Sequence, residues 1–293
     1  MMISIVIRTL NEAKYLGELL QGIAAQHVNG FQVETVVIDS GSTDGTLAIA
    51  QQHGCTITHI KREEFSFGRS LNLGCEVAKG NILVFVSGHC VPASSIWLQT
   101  LCEPIAQGKV VYSYGKQIGG PQTHFSEARV FAKYFPSQSM VPQQGFFCNN
   151  ANSALARSAW AQHRFDEEVT GLEDLELAQR LHRAGERIGY VAEAAVYHHH
   201  TETWPQVHRR FEREALALQK IMPQVHVGIW DTVRYITTSI WRDWHRAKQQ
   251  GIWAAKAHEI VLYRYHQYMG SFNGNHQHRK LSQAEKDKYF YPH

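Results

Sequence analysis

Through the first third of the chain, short apolar runs rich in β-branched residues alternate with segments of helical periodicity. Ile3 to Ile7 predicts a first strand, and a helix follows from about Asn11 to Gln26, with Leu16, Leu19, Leu20 and Ile23 on one face. Val33 to Ile38 predicts a second strand. It leads into a helix that starts near Asp44, with Ser42 or Thr43 as its cap, and stops at Gly54. Thr56 to Ile60 reads as a third strand and Arg69 to Gly80 as a helix. Ile82 to Val86 is uninterrupted and apolar, as in a strand buried on both faces. Strand and helix in alternation imply βαβ units, a largely parallel sheet and an α/β fold class.

After Pro92 the pattern is mixed. Lys109 to Ile118 alternates like an edge or antiparallel strand, and the stretch from Gly145 reads as a strand feeding a helix toward Trp160. Glu173 to Gly185 has the pattern of an amphipathic helix, and 188–200 supplies short strand pieces. From Trp204 the chain reads as three helices, Trp204 to Ile221, about Val227 to Lys248 and about Ile252 to Met269, before a polar, His-rich tail. This suggests a catalytic domain over 1–203 and a helical extension over 204–293.

With 293 residues, 44% of them hydrophobic, the chain can bury one sizeable core and carry an appended helical region. Its five cysteines are odd in number and contain no C-x-x-C pair, which disfavours a disulfide framework and fits a reducing cytoplasm. The N-terminal apolar run is too short for a signal peptide, and no stretch approaches the length of a membrane span. The net charge of +3 is mild.

Open α/β sheets bind ligands beyond the carboxyl ends of their strands. Three polar clusters fall at such ends: Arg8-Thr9-Leu10-Asn11-Glu12, Asp39-Ser40-Gly41-Ser42 and Ser87-Gly88-His89. No dinucleotide fingerprint, P-loop, nucleophile elbow or H-E-x-x-H motif is present, which argues against those four chemistries.

VIRTLNEAKYL, VVIDSGSTDGT, GRSLNLGCEVAKGNILVFVSGHCVP and GLEDLELAQRLHRAGERIGYVAEAAVYHHH, in this order and spacing over about residues 3–200, resemble the inverting family-2 glycosyltransferases of GT-A fold. FSFGRSLN is most similar to the rhamnosyltransferase-like branch that builds bacterial surface polysaccharide. The resemblance implies a GT-A domain with a C-terminal helical extension, a nucleotide-sugar donor and a saccharide acceptor, commonly lipid-linked, used in capsule or lipopolysaccharide assembly.

It also implies roles. Arg8, Thr9, Leu10, Glu12 and Asp39 would hold base and ribose, with Ser40 standing where many relatives have a second aspartate. Asp174, or Glu173 beside it, would be the general base that takes the proton of the acceptor hydroxyl. Arg69 and Asn72 would reach the donor phosphates or sugar, and Asn150 and Asn152, with Asn149, would shape the sugar pocket. Relatives bind Mn²⁺ or Mg²⁺ through an aspartate pair where this chain has Ser87, Gly88 and His89. Either His89 joins His198 or His200 in holding a divalent ion, or Arg69, His89 and backbone N–H groups act without a metal.

The C-terminal helices mix aromatic and basic residues. A cap packed on the catalytic domain, an oligomer contact and a surface resting on the inner face of the cytoplasmic membrane all fit this composition. Two rival readings are a catalytically silent GT-A-like module and a nucleic-acid binder, the latter not expected.

Overall fold

The computed structural model describes residues 1–276, so the end of the His-rich tail lies outside the described residues. In chain order the elements are β1 (Met2–Thr9), α1 (Ala13–Ala24), β2 (Gln32–Asp39), α2 (Thr46–Gln52), β3 (Thr56–His59), α3 (Phe67–Val77), β4 (Ile82–Ser87), β5 (Cys90–Pro92) and α4 (Trp97–Ala106). There follow β6 (Tyr112–Gly119), α5 (Phe125–Tyr134), β7 (Asn152–Ala156), α6 (Arg157–His163), α7 (Glu173–Arg183), β8 (Ile188–His198), α8 (Trp204–Ile221), α9 (Ile229–Gln249) and α10 (Trp253–Asn275).

Two compact units emerge, and they do not follow a single cut in the chain. The first comprises Met1–Ile118, Phe135–Glu168 and Glu173–His199. The second gathers Gly119–Tyr134, Val169–Leu172 and the chain from His200 onward.

The first unit is built on one sheet in the order β3-β2-β1-β4-β7-β6-β8-β5. It is parallel from β3 to β4, and β7 turns it antiparallel by pairing with both β4 and β6. This is the expected α/β architecture with a mixed sheet. The core lies on β1, β4, α1 and the start of α4, where Ile3, Ile5, Ile7, Leu16, Leu19, Val84 and Trp97 are fully buried. β8 is one continuous strand rather than short pieces: burial in the sheet outweighs the weak strand propensity of Ala192, Ala194 and Ala195.

The DSGSTD loop does not cap its own helix through Ser42 or Thr43. Ser42 Oγ accepts from the Asn11 N–H at 2.9 Å, Thr46 Oγ1 from the Glu12 N–H at 2.8 Å and Asp44 Oδ2 from the Ala13 N–H at 3.0 Å. It therefore satisfies the unpaired donors at the start of α1.

The second unit is helical. Gly270 and Gly274, four residues apart on α10, lie against α8 so closely that an added Cβ would meet the carbonyl oxygens of His208 and Glu212 at 2.3 and 2.1 Å. These glycines serve helix packing rather than termination, which is why α10 continues past Met269. α9 is tied inward by buried Asp243, which accepts from Ser126 Oγ at 2.7 Å and from Arg264 Nε at 2.8 Å.

Candidate functional site

The strand register sets Thr9 beside Asp39 and Arg8 beside Ser87, so the three polar clusters share one end of the sheet. Asp39 is buried. Its Oδ2 accepts from the N–H groups of Gly41 and Ser42 at 2.9 and 3.0 Å, and its Oδ1 from Thr9 Oγ1 at 3.2 Å. Ser40 Oγ donates to the Thr9 carbonyl at 3.1 Å. Asp39, Thr9 and Ser40 thus build the loop as well as face it.

At the start of α7, Asp174 is buried and accepts from the N–H groups of Asn150 and Leu175, both at 2.7 Å. Burial and the neighbouring Glu173 carboxylate push Asp174 up to about 7, against the pull of those two N–H groups and the Arg8 guanidinium. A base working at neutral pH is best placed near that value. Arg8 lies 3.4 Å from Glu173 and stacks over Phe67 at 4.8 Å. Two buried donors, Arg8 Nη1 and Asn150 Nδ2, have no hydrogen-bond partner among the described residues. Buried donors are seldom left so, and both belong to residues tied to this carboxylate pair.

The Ser87-Gly88-His89 turn resolves into a chain of hydrogen bonds. His89 Nδ1 meets Glu12 Oε1 at 2.8 Å, His89 Nε2 meets His198 Nε2 at 3.0 Å, and His198 Nδ1 meets Gln117 Oε1 at 2.7 Å. Glu12, expected near base and ribose, spends its carboxylate on His89. Gly88 makes this possible, because an added Cβ there would lie 2.8 Å from Glu12 Cγ. Each ring has an oxygen at Nδ1 and turns Nε2 toward the other ring, and an Nδ1–H tautomer of both would set two lone pairs facing each other, an arrangement that a shared proton or a cation satisfies. Imidazoles with a carboxylate or amide oxygen behind them are a common way to hold a divalent metal, so the residues fit one, of borderline rather than hard character. Asn11, just before Glu12, has φ +57°, and Leu172, just before Glu173, has φ +56°. Glu12 and Glu173 therefore each follow a non-glycine residue in the left-handed region, a strained feature that accumulates at sites.

Other expected residues stand apart. Asn72 has its amide fully spent: it donates to the Phe165 carbonyl and Glu167, and accepts from Trp160 Nε1 and the Phe165 N–H. Asn152 is buried, accepts from Trp97 Nε1 and donates to the carbonyls of Lys116 and Ala194. The Asn72 amide has no capacity left for a sugar, and the Asn152 amide, fully buried, has both N–H groups committed to the fold. Arg69 is half-exposed, 3.9 Å from Glu64. His200 is not among these: with His89 and His198 it forms a group whose ligand atoms lie within 4.8 Å of one another and could hold a metal ion, and it also meets Glu127 at 2.7 Å. Glu127, His200 and Glu202 could offer three ligand atoms to a cation. The Arg210 guanidinium already fills that role, 2.5 Å from Glu127 and 2.7 Å from Glu202, and with His200 it holds Glu127 down to about 2.

Residues 4–164 match the glycosyl transferase family 2 profile. The chain belongs to glycosyl transferase family 2. Among its relatives, the O-antigen chain rhamnosyltransferase RfbN of Salmonella typhimurium is 25% identical over 72% of this chain and 70% of its own length. WbaN of Salmonella anatum, of the same description, is 27% identical over 61% and 60%. Among solved structures, the family-2 chain matches the mannosyltransferase PcManGT of Pyrobaculum calidifontis, determined with GDP-Man and Mn²⁺. The TM-score is 0.62 at 16% identity, over 99% of this chain and 87% of the other. No described helix of the family-2 chain is long and apolar enough to cross a membrane.

Proposed function

We propose that this chain is an inverting glycosyltransferase that moves a hexose or deoxyhexose from a nucleoside diphosphate to a lipid-linked saccharide acceptor in bacterial surface-polysaccharide assembly. The observation that carries the reading is the buried Asp174, poised near neutrality, with the unpartnered donors of Arg8 and Asn150 about it. Kinship with the two Salmonella rhamnosyltransferases supports an O-antigen-like product and a deoxyhexose donor.

Asp174 takes the proton of the acceptor hydroxyl as its oxygen attacks the anomeric carbon from the face opposite the diphosphate. The new glycosidic bond forms as the bond to the diphosphate breaks, so one displacement inverts the centre. The two backbone N–H groups on Asp174 fix its orientation, and Glu173 keeps its basicity high. The Arg8 guanidinium balances this pair and offers Nη1 to a substrate oxygen. The Asp39 loop and the strand-one turn take the nucleoside. The catalytic machinery lies within 1–203.

A divalent cation fits the His89 and His198 imidazoles, with Glu12 and Gln117 behind them, as it fits the mannosyltransferase solved with Mn²⁺. Bound there, it would offset charge on the departing diphosphate.

Thermal unfolding against uridine, guanosine, thymidine and cytidine diphosphates and their sugars, each with Mn²⁺ or EDTA, tests the reading. Ligand at about one hundred times its dissociation constant stabilises the native state by about 2.7 kcal/mol. The expected result is a shift with one nucleotide that Mn²⁺ enlarges. Binding without transfer, and with no effect of Asp174→Asn on turnover, would make this a silent nucleotide-binding module.

A further inference from the structure

α9 buries Thr232, Asp243 and Ala247 and turns its other side to solvent. On that side Trp230 is 82% exposed and Trp241 67% exposed. An indole is costly to leave in water, and two on one face make an apolar patch that calls for a partner. At 100° per residue, Trp230, Arg234, Trp241, His245 and Lys248 fall within an arc of about 60°. The two indoles are about 16 Å apart along the axis, with Arg234 between them. Arg242 and Arg246 flank the stripe on one side, both exposed, as is Tyr235. Asp231 is the one acidic residue on the exposed side of α9, and it pairs with Arg234 at 3.2 Å.

We propose that the outward face of α9 docks on an anionic lipid bilayer, lying flat with both indoles at the headgroup level. Four basic side chains, Arg234, Arg242, Arg246 and Lys248, on the same helix as exposed tryptophans match the charge and polarity of that surface. The same charges argue against a second copy of this chain. Two-fold packing of the face on itself would set arginines against arginines around the indoles. The four charges equally keep α9 from spanning the bilayer, in keeping with the lack of any membrane-crossing helix among the described residues. The inference rests on this face alone and does not depend on the sugar-transfer reading.

The test is co-sedimentation of the full chain with vesicles of phosphatidylcholine alone, or with about a quarter phosphatidylglycerol, at low and moderate salt. Binding to the anionic vesicles that weakens with salt, accompanied by a blue shift of tryptophan emission, is expected. Trp230→Ala with Trp241→Ala, and separately Arg234→Glu with Arg242→Glu and Lys248→Glu, should each lower partitioning at least about tenfold, since each basic group near such a surface is worth about fivefold. All five positions are exposed, and unchanged thermal unfolding of the variants checks that the fold is intact.

Equal binding to neutral vesicles, or anionic binding that both variants retain, would overturn the proposal. So would light scattering that finds a dimer made monomeric by the tryptophan variant, with no vesicle binding by the parent chain. Salt-dependent binding to single-stranded DNA that both variants lose, again without vesicle binding, would assign the face to nucleic acid instead.

Discussion

The raised pKa of Asp174 makes a quantitative forecast. In the unfolded chain its carboxyl titrates at the ordinary 3.8, and in the native state at about 7. A carboxyl raised on folding binds more protons in the native state, so it favours the fold at low pH, and that contribution is lost as pH rises from 3.8 to 7. The full window is worth on the order of 4 kcal/mol, at 1.36 kcal/mol per pH unit, and about 2.7 kcal/mol of it falls between pH 5 and 8. Asp174→Asn removes the titration but gives the Asn150 and Leu175 N–H groups only one oxygen to share, at a cost of about 1–3 kcal/mol. Whatever that offset, the variant should gain about 2.7 kcal/mol on the parent between pH 5 and pH 8 and be the more stable of the two at pH 8. Urea unfolding of both proteins at pH 5, 6, 7 and 8 reads the difference directly, and sugar transfer should fall by a factor of about 10²–10⁴ throughout. A stability difference that stays constant with pH would refute the account of Asp174 as a carboxyl held protonated by burial and Glu173.

Arg8→Ala removes the positive charge that lowers the Asp174 pKa, so the acidic limb of the transfer rate against pH should move to higher pH, and an unmoved profile would separate Arg8 from the base. Glu12→Gln weakens the acceptor behind His89 and should loosen divalent-cation binding about 10–100-fold by calorimetry. Asn72→Ala leaves Trp160 Nε1 and the Phe165 N–H without their acceptor and should cost about 2–5 kcal/mol in urea unfolding. Gly68→Ala would bring a Cβ to 2.0 Å from the Asp166 carbonyl oxygen, and a marked drop in Tm is expected.

Much of the architecture was written in local pattern. The apolar runs of β1, β2 and β4 and the helical stripe of α1 stand where the periodicity places them, because each buries its own apolar face. α4 and α5 were not legible: Pro104 sits inside the first, and the second opens on polar residues whose partners, such as Asp243 for Ser126, lie over a hundred positions away. Within the site, the expectation at Glu173 and Asp174 came from the resemblance of GLEDLEL to the family and not from local periodicity. Glu12 with His89 could not be read, since the pair is 77 residues apart. Asn72 and Asn152 misled for a chemical reason. An amide suited to sugar hydroxyls is equally suited to a buried indole N–H, and composition does not distinguish the two.

The contact between Glu12 and Gly88 also constrains the routes by which this sequence can change. With Glu12 folded over position 88, a side chain there, including the carboxylate that relatives use, has no room. A side chain introduced at position 88 therefore requires Glu12 to withdraw, and with it the hydrogen bond from His89. Exchanging residues 12, 88 and 89 as a block should succeed where single exchanges fail.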